Sequence, residues 1–302
     1  MRLAGGKKEP EDPALTGNEK TERNEKTMRI GNKEFLDSGR TYIWGILNVT
    51  PDSFSDGGKY DRLDAALRQV ERMVQEGVDV LDIGGESTRP GHVQISDEEE
   101  IERVAPVIEA VKARFDVPVS LDTYKYEVAR AGAQAGADLI NDIWGLKYDE
   151  GQMAAFLAES GLPCCLMHNR RQAEYGDFLP ELKADLQETL AIASRAGVRK
   201  ESIILDPGVG VVFAKTREQN LEVLANLGGL RELGCPVLLG ASRKSVIGLT
   251  LDVPVTERLE GTLVTTVFAV LSGCSHVRVH DVKENVRAVR MAEAIAEYGA
   301  GK

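Results

Sequence analysis

The 302-residue sequence predicts an α/β protein built as a closed (β/α)8 barrel, a single domain over residues 28–302. Two observations carry this. Eight short apolar runs recur from residue 42 onward, and stretches with a helical hydrophobic period separate them. Strands divided by helix-length segments are parallel β-α units. Eight such units over about 260 residues suit a closed barrel better than an open doubly wound sheet. No Gly-x-Gly-x-x-Gly fingerprint follows the first strand, which weakens the open-sheet alternative further.

Residues 1–27 hold six basic and six acidic residues and almost nothing apolar. They cannot bury enough surface to offset ordering entropy, so a disordered N-terminal extension is expected. Folding signals begin with "MRIGNKEF" at Met28. The first barrel strand is "YIWGILNV" (42–49), which opens into a loop carrying Asp52, Phe54, Ser55 and Asp56. A loop that only connects needs about two to six residues and no aromatic, so this one is built to touch something. "VDVLDIGG" (78–85) is the second strand. Ser96 and Glu99 then form a capping-box pattern ahead of Ile101, Val104, Ile108 and Val111, one face of a helix. The following strands are "VPVSLDT" (117–123), "ADLINDIWG" (137–145), "LPCCLMH" (162–168), "SIILDPG" (202–208), "PVLLGAS" (236–242) and "HVRVHD" (276–281). Asp281 and Glu284 repeat the capping box before a last helix near 283–297.

A net charge of −11 argues against a nucleic-acid or anionic-membrane surface, while leaving room for a local basic pocket. No apolar run reaches the ~18 residues that span a bilayer, and the N-terminus lacks the apolar core of a signal peptide. The four cysteines have no paired metal-type spacing and lie in apolar runs, which suits reduced core thiols in a cytoplasmic protein.

Active sites of such barrels lie at the C-terminal ends of the strands. Here each strand ends in polar groups: Asn48; Glu86 with Ser87 and Thr88; Asp122; Asn141 with Asp142; His168; Asp206; Ser242 to Lys244; Arg278 with His280. Singly, each has a structural reading. Asp122 or Asp206 could cap a helix or form a turn, Asn141 could be a satisfied turn amide, and Arg243 could be a surface salt bridge. Eight on one rim are harder to absorb. Asp122, Asn141 and Asp206 offer acceptors that require donors once buried, as a heterocycle with ring N–H and an exocyclic amine would supply. Lys244, Arg278 and His280 suit an anion such as phosphate. "ASRKS" (241–245) places Ser245 near a helix start, a second place for an anion.

"GILNVTPDSFSDGG" (45–58), "LDIGGESTRPG" (81–91), "LDT", "NDI", "DPG", "SRKSVIG" (242–248) and "RVHDVKEN" (278–285) run in an order that resembles the dihydropteroate synthase family. The resemblance covers residue 28 to the C-terminus. It implies a pterin-binding (β/α)8 barrel that joins 6-hydroxymethyl-7,8-dihydropterin diphosphate to 4-aminobenzoate. Diphosphate would leave by a dissociative path. It further implies that Asp122, Asn141, Asp206 and Lys244 hold the pterin, with Met167 and Ile143 along its faces. Asn48, Arg278 and His280 would hold the diphosphate, with Mg2+ at Asn48, since magnesium favours a few oxygen ligands plus substrate phosphates. Phe54, Thr88, Arg89, Pro90, Phe213 and Ser245 would surround the aminobenzoate, the first four on two loops that close over the substrates. Lys244, Arg278, His280 and Asp122 would carry the chemistry. A homodimer is also implied. One departure is "DPGVGVVFAKT" (206–216), two residues longer at Val211 and Val212 than the family pattern. A pterin-binding barrel that passes a methyl group from a reduced folate to a corrinoid protein is the alternative. It would share Asp122, Asn141 and Asp206 but would not need the cationic clamp. His168 reads as a supporting or packing residue, and His276 as a bottom-layer interior residue.

Overall fold

The computed structural model describes residues 27–37, 39–50, 59–86, 93–210 and 214–300. The chain starts with an antiparallel hairpin, β1 (Thr27–Ile30) and β2 (Lys33–Leu36), turning at Gly31 with φ +59°. This hairpin is an addition to the expected barrel. Its Met28, Ile30 and Phe35 are buried with Tyr42, Trp44, Val80, Leu139, Cys165, Ile204 and Leu238 in one cluster. It therefore plugs one mouth of the barrel with apolar side chains.

Eight strands follow: β3 (Tyr42–Asn48), β4 (Val80–Gly84), β5 (Val119–Asp122), β6 (Leu139–Asp142), β7 (Cys164–Met167), β8 (Ile203–Asp206), β9 (Leu238–Leu239) and β10 (His276–Val279). All pair in parallel in the order β8-β7-β6-β5-β4-β3-β10-β9. A parallel bridge between Leu205 and Val237 joins the two ends, and Leu205 N–H donates to Pro236 O at 2.9 Å. The expected closed barrel is what forms.

The helices are α1 (Lys59–Glu76), α2 (Asp97–Arg114), α3 (Tyr126–Gln134), α4 (Gln152–Ser160), α5 (Phe178–Ala196), α6 (Arg217–Ala225), α7 (Ser245–Leu251), α8 (Leu259–Leu271) and α9 (Val282–Ala300). Ser96 caps α2 by accepting from Glu99 N–H at 3.2 Å. The full reciprocal box belongs to Thr216 and Gln219 at α6 instead. Asp281 directs its carboxylate to Arg243.

Strand parity sorts the side chains. Ile43, Leu47, Leu81, Ile83, Val119, Leu121, Ile140, Leu166, Leu205 and Val277 join the core between sheet and helices. The alternate positions face the barrel axis, apolar toward the hairpin and polar toward the opposite rim. His276 belongs to the hairpin end. It is buried, accepts from Trp44 Nε1–H at 3.1 Å and stacks on Tyr42. Burial lowers its pKa to about 3, so it is neutral and structural.

Candidate active site

One step toward the rim from the apolar plug, the inward positions become charged. Asp82, in the middle of β4, is fully buried. It accepts from Ser120 Oγ at 2.5 Å and from Arg278 Nε at 2.5 Å, with Asn141 Nδ2 at 3.4 Å. Arg278 Nη2 also donates to Asp122 Oδ2 at 2.6 Å. Arg278 thus reaches across from β10 and ties β4 and β5 together. Burial raises the Asp122 pKa, Arg278 opposes that rise, and Asp82 adds to it. Among the described residues Arg278 Nη1 has no such partner and remains a donor for a ligand. Asp82 was not among the expected site residues. Its signal was present: a carboxylate inside an apolar strand, in phase with the inward positions, must have a cation.

The second group centres on Gly240, just past β9. A Cβ built there would lie 3.4 Å from Asp206 Oδ2, 3.7 Å from Lys244 Nζ and 3.9 Å from Arg278 Cβ. Three expected site residues from three segments therefore converge on a point where the chain supplies no side chain. Asp206 Oδ1 accepts Gly208 N–H at 2.7 Å, and Lys244 Nζ donates to Val209 O at 2.5 Å. Burial raises the Asp206 pKa, opposed first by Lys244, and lowers that of Lys244, opposed first by Asp206. Each group holds its partner in the charged form.

Asn141 and Met167 are buried on inward positions of β6 and β7, and Ile143 is half-buried just beyond β6. Asp142 points into its own turn, accepting from Trp144 and Leu146 N–H at 2.8 and 2.7 Å. Asn48 is half-buried at the end of β3. His280 Nδ1 lies 3.1 Å from Ser242 Oγ, which also accepts His280 N–H at 3.2 Å. Arg243 adopts φ +56° and turns to Asp281, so it is structural, while its neighbour Lys244 faces Asp206. Ser245 opens α7 and is half-buried. Phe54, Thr88, Arg89, Pro90, Phe213, Val211 and Val212 lie outside the described residues.

Two supporting clusters lie behind this rim. Lys125, buried, pairs with Glu86 at 2.6 Å and Glu100 at 2.9 Å, and Tyr124 O–H donates to Glu86 at 2.7 Å. His168 lies between Asp185 and Lys215, each at 2.8 Å, as a supporting residue would.

The centre holds three carboxylates (Asp82, Asp122, Asp206) and two cations (Arg278, Lys244). It offers fixed acceptors to a flat donor-rich ring and cationic donors to an anion beside it. Among the described residues no cluster of three His, Cys, Asp or Glu side chains is arranged to hold a metal. Asn48 could supply one oxygen to a magnesium ion whose other ligands are phosphate and water, which is how that ion is commonly held.

Residues 44–280 match the family described as pterin binding enzyme. A dihydropteroate synthase of Clostridium beijerinckii is 56% identical over 269 residues, 89% of this chain and 99% of that protein. The solved dihydropteroate synthase of Clostridium difficile, in the presence of pteroic acid, is 49% identical with a TM-score of 0.82, over 85% of this chain and 97% of that one. The Xanthomonas albilineans dihydropteroate synthase with 4-aminobenzoic acid is 40% identical with a TM-score of 0.84, over 90% of this chain and 98% of that one.

Proposed function

This chain belongs to the pterin-binding enzymes and, among them, to the dihydropteroate synthases, and we propose that its barrel rim joins 6-hydroxymethyl-7,8-dihydropterin diphosphate to 4-aminobenzoate with release of diphosphate. The convergence of Asp206, Lys244 and Arg278 around Gly240 carries this reading. Asp206, Asn141 and Asp122 accept the N–H groups of the pterin edge, Lys244 donates to the ring, and Met167 and Ile143 line its faces. Asn48, Arg278 and His280 address the diphosphate. Mg2+ bound with Asn48 would neutralise part of the diphosphate charge.

The C–O bond breaks first, its electrons leaving with the diphosphate. Arg278 and His280 stabilise the charge that grows there. The arylamine nitrogen then attacks the pterin methylene cation and loses a proton. Ser245, with Phe54, Thr88, Arg89, Pro90 and Phe213, forms the aminobenzoate side, and exclusion of water protects the cation. Titration of the protein with diphosphate and Mg2+ tests the clamp. Binding of both is expected, whereas a methyl-carrying pterin barrel should ignore both.

A homodimer fits the surface. Val264, Phe268 and Leu271 of α8 are exposed at a spacing of four and three residues, one stripe of the helix. Exposed Leu249, Leu251, Met291 and Ile295 add apolar area on α7 and α9. Exposed apolar area of this kind suits an interface between two copies of the chain. Sedimentation should give twice the chain mass, and Phe268→Glu should shift it toward the monomer. A monomeric wild-type protein at micromolar concentration would contradict this.

We assign the catalytic unit to residues 28–302 and expect the segment before it to be dispensable. Thr27 pairs with Leu36, so the cut belongs before it. Removing residues 1–26 should leave activity and melting temperature nearly unchanged. A fall of several degrees would show that the segment packs on the barrel. A reducing cytoplasmic setting suits the four buried cysteines, none of which forms a disulfide. No helix among the described residues is long and apolar enough to cross a membrane.

A further inference from the structure

Lys215 is one of the largest fully buried side chains of the protein, 1% exposed, and the mechanism above gives it no task. It lies on the segment that returns from the loop after β8. Its Nζ is 2.8 Å from His168 Nδ1, and His168 Nε2 is 2.8 Å from Asp185 Oδ2. Arg170 Nε donates to the same Asp185 oxygen at 2.6 Å. Burial lowers the His168 pKa to about 4, so the ring is neutral, donating from Nε2 to Asp185 and accepting the Lys215 ammonium at Nδ1.

The ammonium also presses on the turn that follows Asp206. A Cβ on Gly208 would come within 3.2 Å of Lys215 Nζ and 2.2 Å of His168 O. Gly208 N–H holds Asp206 Oδ1 at 2.7 Å, and His168 N–H holds Asp206 O at 2.8 Å. Lys215, Gly208 and Asp206 therefore form one packed unit, with φ +71° at Gly208 reserving the space. We propose that Lys215 is a positioning residue for the pterin: its buried ammonium, set against Gly208, fixes the Asp206 turn and keeps the Asp206 carboxylate ionised as a second cation beside Lys244. This rests on the assignment of Asp206 to the pterin.

The charges around the pair come from every packed element. Asp206 faces Lys244, Lys215 and Arg278, with the neutral thiols of Cys165 and Cys274 nearby. Lys215 faces Asp206 and Asp185 as attractive charges, and Lys244 and Arg170 as repulsive ones. Burial raises the Asp206 pKa, so its acceptor role is lost as pH falls. Burial lowers the Lys215 pKa to about 7, so its charge is present below that pH and fades above it. The ammonium therefore opposes proton uptake by Asp206 while it is itself charged, and ceases to do so as it loses that charge.

The test is calorimetric binding of 6-hydroxymethyl-7,8-dihydropterin diphosphate to wild type, Lys215→Met and Lys215→Gln from about pH 5.5 to about pH 8.5. Both variants should bind several-fold more weakly near the acid end, where the wild-type ammonium is present, and converge on wild type at the alkaline end, where it has lost its charge. Gln keeps a polar contact to His168, so it covers the case in which Met does not fold. A loss of equal size at every pH in whichever variant folds, no loss at all, or failure of both to fold would show a plain packing role and overturn the inference. Asp206→Asn, measured alongside, separates the two levels. Normal binding there removes the pterin assignment itself, whereas loss at every pH there sustains it whatever the Lys215 variants do.

Discussion

Arg278→Ala is expected to abolish turnover and to destabilise the fold more than any other change at the rim. The guanidinium lies between two buried carboxylates, with Nε on Asp82 at 2.5 Å and Nη2 on Asp122 at 2.6 Å. Removing one partner of a buried pair leaves uncompensated charge and costs about 3–5 kcal/mol. The loss should depend on pH. Burial already raises the Asp122 pKa, and Arg278 is the main opposing influence, so its removal raises that pKa further. A carboxyl whose folded pKa lies above its unfolded value destabilises most above the folded pKa. The variant should be weakest in alkaline solution and recover as pH falls and Asp122 takes up a proton. Urea unfolding at about pH 8 and about pH 6 reads this directly. A denaturation midpoint equal to wild type at the higher pH would mean that the two ion pairs do not form. Because Arg278 also organises Asp82 and Asp122, its loss should weaken the pterin alone as well as its diphosphate. His280→Ala, which removes the ring contact to Ser242 Oγ, should weaken chiefly the diphosphate.

Asp206→Asn should weaken binding of the dihydropterin diphosphate by roughly 2–4 kcal/mol, about thirty- to a thousand-fold. The charge-assisted acceptor is lost, and the new amide group turns a donor toward donors. One carboxamide oxygen can still accept Gly208 N–H, so the turn survives. It cannot also serve Lys244 and the pterin edge. Calorimetry on the purified variant measures this, and wild-type affinity would contradict the assignment.

The barrel was legible because its signals repeat. Eight apolar runs alternate with helical segments, and a polar residue at a strand end points inward whenever it shares parity with the strand's inner residues. Position at a strand end singled out Asn141, Asp206 and Arg278, and shared parity with Arg278 put His276 inside the barrel, where it lies at the apolar end. The hairpin was hidden because two four-residue strands carry too few alternations to stand out, and only its Met28 start was visible. Asp82 went unread inside "VLDIG": its inward phase called for a cation, but the partner, Arg278, comes from the last strand of the barrel. Lys215 was hidden for a different reason. A lysine in a loop reads as solvated, and its burial follows from Gly208 and His168, which the chain brings to it from other segments.

The central claim is that this rim couples a pterin diphosphate to an arylamine. The most direct measurement is diphosphate release by the purified protein with Mg2+, the dihydropterin diphosphate and 4-aminobenzoate, each omitted in turn. Release should require both substrates and match 7,8-dihydropteroate formed mole for mole. No release, or release at the same rate without 4-aminobenzoate, would contradict the account.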